Sequence, residues 1–227
     1  MLSEQQHLIF MAMTENPENG KQVDVLLLPP PAIKSGKTLE TVLRSRRSRR
    51  RYSSRPLSLV DLATLLWSAQ GVTGSQGKRT APSAYACHSL VLLLAAERVE
   101  GVPRGLYRYV PSEASGGHQL HLEDGSFQLA SLADDALDLR EIHQPAALIL
   151  FTCDPELAHR EDGTSTAEWA PIDAAMAMEN LLLQATALDL GAVPMADLNP
   201  ELLARQTDPS LISLFAVPVG YPELQNG

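Results

Sequence analysis

The sequence predicts an α+β fold, and three observations carry that reading. Continuous apolar runs of strand length occupy residues 90–96 and 146–152, with a third at 211–219, and segments of helical periodicity alternate with them. Two alternating segments, 106–110 and 118–122, flank a Ser115-Gly116-Gly117 turn and read as a hairpin. That hairpin sits mid-chain and argues against a regular βαβ series. With 227 residues the chain can bury about 70% of its unfolded surface, so it needs neither metal nor disulfide to hold a core.

Residues 1–37 read as a loosely organised N-terminal extension, with a short apolar run at 25–28 that ends in Pro29-Pro30-Pro31. Three prolines fix an extended connection and forbid helix there. From Thr38 onward Leu39, Val42 and Leu43 recur at helical spacing. The next helix is announced by Ser58 as N-cap with Asp61 three residues on; Leu59, Leu62, Leu65, Leu66 and Ala69 form one face, and Gly71 closes it. A loop rich in Gly, Ser and Lys follows, and small residues at 81–84 lead into the buried strand 90–96. Gly101 and Pro103 mark the turn before the hairpin. The longest helix runs from Pro171 to Leu190, with Ala174, Ala175, Met178, Leu181, Leu182, Ala185 and Leu188 on its apolar side. A short helix at 201–205 and a strand at 211–219, interrupted by Pro218, complete the order. Residues 38–227 are expected to form one domain.

Charge is unevenly placed. The chain has 18 basic and 27 acidic residues, a net −9, yet seven arginines lie between Arg44 and Arg55 with no acid among them. Outside that window 11 basic residues face 27 acidic ones, a balance of −16, which argues against a nucleic-acid binder. Cys87 and Cys153, 66 positions apart, form no CxxC pair and point to a reducing compartment. No run reaches the roughly 18 apolar residues of a membrane span. The greasy patch Leu8–Met13 lacks a basic lead, so it does not read as a signal peptide and a cytoplasmic location is expected.

The arginine string Arg46-Arg47-Ser48-Arg49-Arg50-Arg51-Tyr52 is the first candidate for chemistry. Guanidinium forks match phosphate oxygens bidentately, and a serine hydroxyl completes such a site. The same string is compatible with a solvated face or a polyanion-docking patch.

Context selects among these. The string is followed in order by Pro56-Leu57-Ser58, by Leu65-Leu66-Trp67-Ser68-Ala69-Gln70-Gly71, and by Arg79-Thr80-Ala81-Pro82-Ser83-Ala84. Later come Gly105-Leu106-Tyr107-Arg108-Tyr109, Glu179-Asn180-Leu181-Leu182-Leu183-Gln184-Ala185 and Pro218-Val219-Gly220-Tyr221-Pro222. This succession, over about residues 36 to 224, resembles the flavin-dependent nitroreductase family and within it the SagB-type dehydrogenase branch. The resemblance implies a nitroreductase-like α+β sandwich, a mostly antiparallel central sheet flanked by helices, and a homodimer with FMN at the subunit interface. It places Arg46, Arg47, Ser48 and Arg50 at the phosphate and ribityl end of FMN. Pro82, Ser83 and Ala84 approach the flavin from the partner subunit, and Pro194, Met195, Ala196 and Asp197 lie along the isoalloxazine edge. The implied activity is ping-pong hydride transfer from NAD(P)H, through FMN, to a small electrophilic acceptor of nitro, quinone or enone type. No acid–base side chain is obligatory for that chemistry, so no catalytic residue is named. A non-catalytic FMN-binding protein of the same fold is the alternative.

The sequence also departs from the family. Basic residues often follow the terminal V-G-x segment, whereas here the chain reads Pro222-Glu223-Leu224-Gln225-Asn226-Gly227; Arg49 and Arg51 are candidates to compensate, or are surface charge along with Arg44 and Arg55. The Lys-Tyr pair of azoline-oxidising members is missing from residues 160–169, so oxidation of thiazolines in modified peptides is not expected. Tyr85 replaces a glycine usual in the branch and, with Trp169, is a candidate pocket residue; stacking on the flavin and packing in a dimer core are the other readings of Tyr85. No metal site is expected: His118 and His121 would point to opposite faces of a strand. Cys87 and Cys153 read as structural cysteines.

Overall fold

The computed structural model describes residues 11–15, 22–32, 36–75, 77–112, 117–132, 136–160 and 162–223. Leu8, Ile9 and Phe10, the turn residues Ser115 and Gly116, and the tail 224–227 lie outside the described residues. The strands are β1 (Met11–Glu15), β2 (Gln22–Leu27), β3 (Leu90–Ala96), β4 (Gly105–Val110), β5 (Gln119–Asp124), β6 (Ala147–Cys153), β7 (Gly191–Ala192) and β8 (Ile212–Gly220). The helices are α1 (Leu39–Ser45), α2 (Leu59–Gln70), α3 (Ala170–Ala187) and α4 (Pro200–Gln206).

All eight strands form one sheet in the order β1-β2-β5-β4-β3-β6-β8-β7, and every paired neighbour is antiparallel. The α+β reading therefore holds, and the mid-chain hairpin is β4–β5, with Val110 opposite Gln119. Alternation along the central strands divides the core. Leu92 and Leu94 of β3, Ile149 and Phe151 of β6, and Val217 and Val219 of β8 face α2 and α3. Leu93, Ala95, Leu148, Leu150 and Ala216 face the opposite way, onto Leu129, Leu132, Leu137 and Leu203. With both faces covered, these strands read as continuous apolar runs. That is why they were visible in the sequence.

Both well-signalled helix starts are capped. Ser58 Oγ accepts from Asp61 N at 3.1 Å, and Thr38 Oγ1 accepts from Thr41 N at 3.3 Å. In α3 the buried stripe is Ala170, Asp173, Ala174, Ala177, Leu181, Leu182 and Ala185; Ala175, expected on it, is exposed. β8 continues through Pro218, which stands opposite Leu148.

Part of the segment before residue 38 lies in this sheet. β2 pairs with β5, Leu26 opposite Leu120, and Val25, Leu26 and Leu28 are buried. The loose organisation expected of residues 1–37 does not hold for this stretch. A four-residue apolar run is too short for its periodicity to separate strand from loop.

Candidate functional site

The arginine string leaves α1 as an extended segment wedged between two parts of the chain. Arg49 N donates to Ala192 O at 3.0 Å, beside the Ser48–Ala192 bridge. On the other side His143 N donates to Arg50 O at 2.9 Å and Tyr52 N to His143 O at 3.0 Å. The anchor is Tyr52, whose hydroxyl sits 2.6 Å from Arg49 O and 2.9 Å from Pro218 O. Burial pushes this phenol well above its ordinary pKa, so it stays a protonated donor.

Two glycines make room for that ring. A Cβ on Gly191 would come within 3.0 Å of Arg49 Cβ and 3.1 Å of the Tyr52 ring; one on Gly220 would lie 3.2 Å from both Tyr52 Cδ1 and Ala146 N. Gly191 and Gly220 pair directly across β7 and β8, so the string lies on a floor of bare backbone.

Above that floor is a cleft of about 290 Å³ lined by Ser48, Arg49, Arg50, Arg51, Glu141, Pro222 and Glu223. Among the described residues no ion pair engages Arg49, Arg50 or Arg51. Of the predicted phosphate contacts, Ser48 and Arg50 line this cleft. Arg46 and Arg47 stand beside it: Arg46 Nε is 4.0 Å from Glu179 Oε1 on α3, and Arg47 donates back to Arg44 O and Arg46 O, at 3.0 and 2.7 Å, at the end of α1. Arg49 and Arg51, read as compensators or as surface charge, line the cleft with Arg50. The terminal V-G-x segment is followed by Pro222 and then by an acid: Glu223 lines the cleft and its N–H donates to Arg51 O at 3.1 Å.

Residues 194–197 start next to the string, two positions after Ala192. Met195 is held to Ala216 by reciprocal backbone bonds of 2.8 and 3.0 Å, while Pro194, Ala196 and Asp197 are exposed. The structure thus brings this segment and Ser48–Arg50 together.

Pro82, Ser83 and Ala84 are placed elsewhere, against the first turn of α3. Ala84 N donates to both carboxylate oxygens of Asp173, at 3.1 and 2.9 Å, and Ser83 Oγ accepts from His88 N at 3.0 Å. The preceding residues are tied down as well: Arg79 donates to Gln70 Oε1, and Asn180 of α3 donates to Thr80 O. Arg79 Nε is buried with no hydrogen-bond partner. Tyr85 is 61% exposed, with the Arg160 guanidinium 4.5 Å from its ring centre, and Trp169 is exposed at the start of α3.

His118 and His121 are engaged separately. His118 lies buried between Tyr109 Oη and Pro29 O, and His121 reaches Gln119 Oε1. Cys153 is buried, and Cys87 Sγ lies 3.2 Å from His159 O. Sequence reasoning missed Asp173, Gly191 and Glu141, whereas Gly220 and Glu223 stand in segments it quotes without their place at this cleft. Asp173 alone left a signal, as an acid in the first turn of a long helix.

Residues 43–221 match the nitroreductase family. The chain belongs to that family. It is 34% identical over 155 residues to a protein of Methanocaldococcus jannaschii named as a nitroreductase, an alignment spanning 68% of this chain and 76% of the relative. A Ralstonia eutropha crystal structure, also named as a nitroreductase, superposes with a TM-score of 0.74 at 27% identity, covering 88% of this chain and 90% of the other. A chain of the E. coli microcin synthetase McbBCD complex shares the fold, with a TM-score of 0.63 at 18% identity over 87% of this chain and 78% of its own. Nitroreductase-family membership makes the chain an oxidoreductase. Among its described residues no helix is long and apolar enough to cross a membrane.

Proposed function

We propose that the protein is an FMN-dependent oxidoreductase that uses NAD(P)H to reduce a small electrophilic organic acceptor, of nitro, quinone or enone type, by ping-pong hydride transfer. The observation that carries this reading is the cleft lined by Ser48–Arg51, a string that lies within the family-matched segment. Its donors suit a phosphate: three guanidinium groups that form no ion pair among the described residues and a hydroxyl, on backbone held by Tyr52. The buried, unpartnered Arg79 Nε is a second feature in keeping with a bound group. Glu141 and Glu223 oppose it, leaving the cleft a formal net charge of +1.

FMN, when bound, supplies the redox chemistry, taking hydride from a nicotinamide and giving it to the acceptor. The chain's part is positioning. Ser48 and Arg50 bind the phosphate, with Arg46 and Arg47 at its edge, and residues 194–197 line the ring. Pro82, Ser83 and Ala84 serve the site of the partner subunit in a homodimer, with Tyr85 and Trp169 at the substrate pocket. An exposed apolar stripe supports the homodimer: Leu39 and Leu43 on α1, with Ile172 and Met176 on the adjacent α3. Burying such side chains against a second copy is worth about 25 cal/mol per Å². Within the family we place the chain in the SagB-type branch, on the ordered succession of motifs from Arg46 to Pro222.

Anaerobic titration of the purified protein tests the proposal. One FMN per subunit, bleached by NADH or NADPH and recoloured by a nitro, quinone or enone acceptor, is expected. Bound flavin that neither nucleotide reduces would point instead to the flavin-binding alternative, and a protein that does not take up FMN would end both.

A further inference from the structure

Asp173 is a buried carboxylate, 6% exposed, with no cation paired to it among the described residues. Burying an unpaired charge is unfavourable unless hydrogen bonds satisfy it. Its place in the first turn of α3 offsets part of that cost, because the helix dipole favours negative charge there. An acid that merely capped α3 would aim at that helix's own N–H groups. Both Asp173 oxygens instead accept from Ala84 N, 89 positions away in the chain.

What they hold is a strained loop. Tyr85, Ala86 and His88 have φ of 54°, 57° and 51°, so three of the five non-glycine left-handed residues among those described fall within four positions. Side chains avoid that region, and it persists only where surrounding contacts impose it. Two clamps bracket the strain. Asp173 grips the entry at Ala84, while Ser83 Oγ accepts from His88 N at the exit. Because Ser83 accepts with a lone pair, its own proton remains available to donate outward. Outside the clamps, Cys87 Sγ meets His159 O, and Arg160 covers the exposed Tyr85 ring.

We propose that Asp173 is a positioning residue, a latch that holds the 83–88 loop in the conformation presenting Pro82–Ala84 and Tyr85 to the flavin of the partner subunit. The flavin half of this statement rests on the function proposed above, whereas the latch half does not. Removing the carboxylate frees Ala84 N and lets Tyr85, Ala86 and His88 relax toward ordinary φ. The segment then no longer fits the ring it faces, although the sheet is untouched.

The test compares full-length wild type with Asp173→Ala and the isosteric Asp173→Asn, which keeps one acceptor oxygen in place. Amide hydrogen exchange is measured on the apo proteins, and FMN affinity and the visible circular dichroism of bound FMN on the holo proteins. Expected for Asp173→Ala is at least tenfold faster exchange at 84–88 with β6 unchanged, at least tenfold weaker FMN binding and an altered flavin dichroism. Asp173→Asn should recover part of each. Unchanged exchange at 84–88, or acceleration there equalled in β6, overturns the latch. A loosened loop with wild-type FMN affinity and dichroism overturns the link to flavin. If wild type itself binds no FMN, the proposed function and the flavin half fall together, and the exchange data alone decide the latch.

Discussion

Replacing Tyr52 by Phe isolates what fastens the arginine string to the sheet. The ring is 3% exposed and packs over Gly191 and Gly220, so Phe fills the same space and only the hydroxyl is lost. That hydroxyl is 2.6 Å from Arg49 O and 2.9 Å from Pro218 O, so its removal takes away the one proton these two carbonyls share, and with it a donor to the buried Pro218 O. Leaving a buried acceptor unsatisfied costs about 1–3 kcal/mol. For a chain of this size, roughly 2–4 °C of melting temperature accompanies each kcal/mol, so Tyr52→Phe should melt about 2–12 °C lower. Backbone bonds from Arg49 to Ala192 and between Arg50 and His143 survive the change. FMN affinity should therefore fall by no more than about fivefold, roughly 1 kcal/mol. Thermal unfolding of the apo protein, with fluorescence titration of FMN, measures both effects. A melting temperature within about 1 °C of wild type would refute the reasoning, since it would mean that water serves those carbonyls as well as the hydroxyl does.

Three further outcomes follow from the same geometry. Arg50→Ala should weaken FMN binding by about 10–100-fold, the loss of one charge-assisted contact, whereas Arg47→Ala, whose guanidinium is turned onto the end of α1, should stay within about threefold; equal losses in the same titration would count against the cleft as the phosphate site. Glu223→Gln should tighten FMN two- to fivefold at low salt, about the worth of one exposed charge pair, and the gain should vanish near 0.5 M salt; unchanged affinity at low salt would place Glu223 out of reach of the phosphate. Burial holds the pKa of His118 below its ordinary value of 6.5, the carbonyl of Pro29 pulling it partly back, so the native state binds fewer protons than the unfolded chain just below pH 6.5. Stability supplied by neutral His118 is thus present above pH 6.5 and is lost as the pH falls toward the lowered value, at no more than about 1.4 kcal/mol per pH unit. His88 and His121 are lowered in the same direction, so His118→Asn should flatten the pH dependence of urea unfolding without abolishing it. An identical slope in the variant would contradict this account of His118.

The elements visible in the sequence were those whose own residues carry the whole signal. β3 and β6 are buried on both faces and so are apolar throughout, and α2 announces itself by Ser58, Asp61 and Gly71. β7 is two residues long, and neither a period nor a propensity can declare Gly191-Ala192 a strand. Ala175 was assigned to the buried side of α3 because alanine suits either environment, and only the packing of α1 and α2 decides which side is inside. The candidate site divides along the same line. A cluster of arginines is conspicuous within one stretch of chain, and Ser48 and Arg50 do line a cleft. Asp173 has meaning only through a bond to Ala84, and Gly191 and Gly220 only through a ring supplied by Tyr52. Such residues look ordinary until the fold brings their partners to them.

The acid at the end of the chain's last strand gives the surplus of arginines a physical reason. Under the proposed function the cleft is a phosphate socket, yet Glu223, two residues beyond the V-G-x segment, and Glu141 both line it. With Arg50 alone the cleft would sum to −1 and repel an anion. Arg49 and Arg51 raise it to +1. The segment is fixed on both edges by backbone bonds to Ala192 and His143, and three consecutive arginines line the one cleft. Field strength at a phosphate depends on the sum over those charges more than on any one of them. Under the proposed function, the arginine string thus supplies the positive charge that the two acids of the same cleft take away.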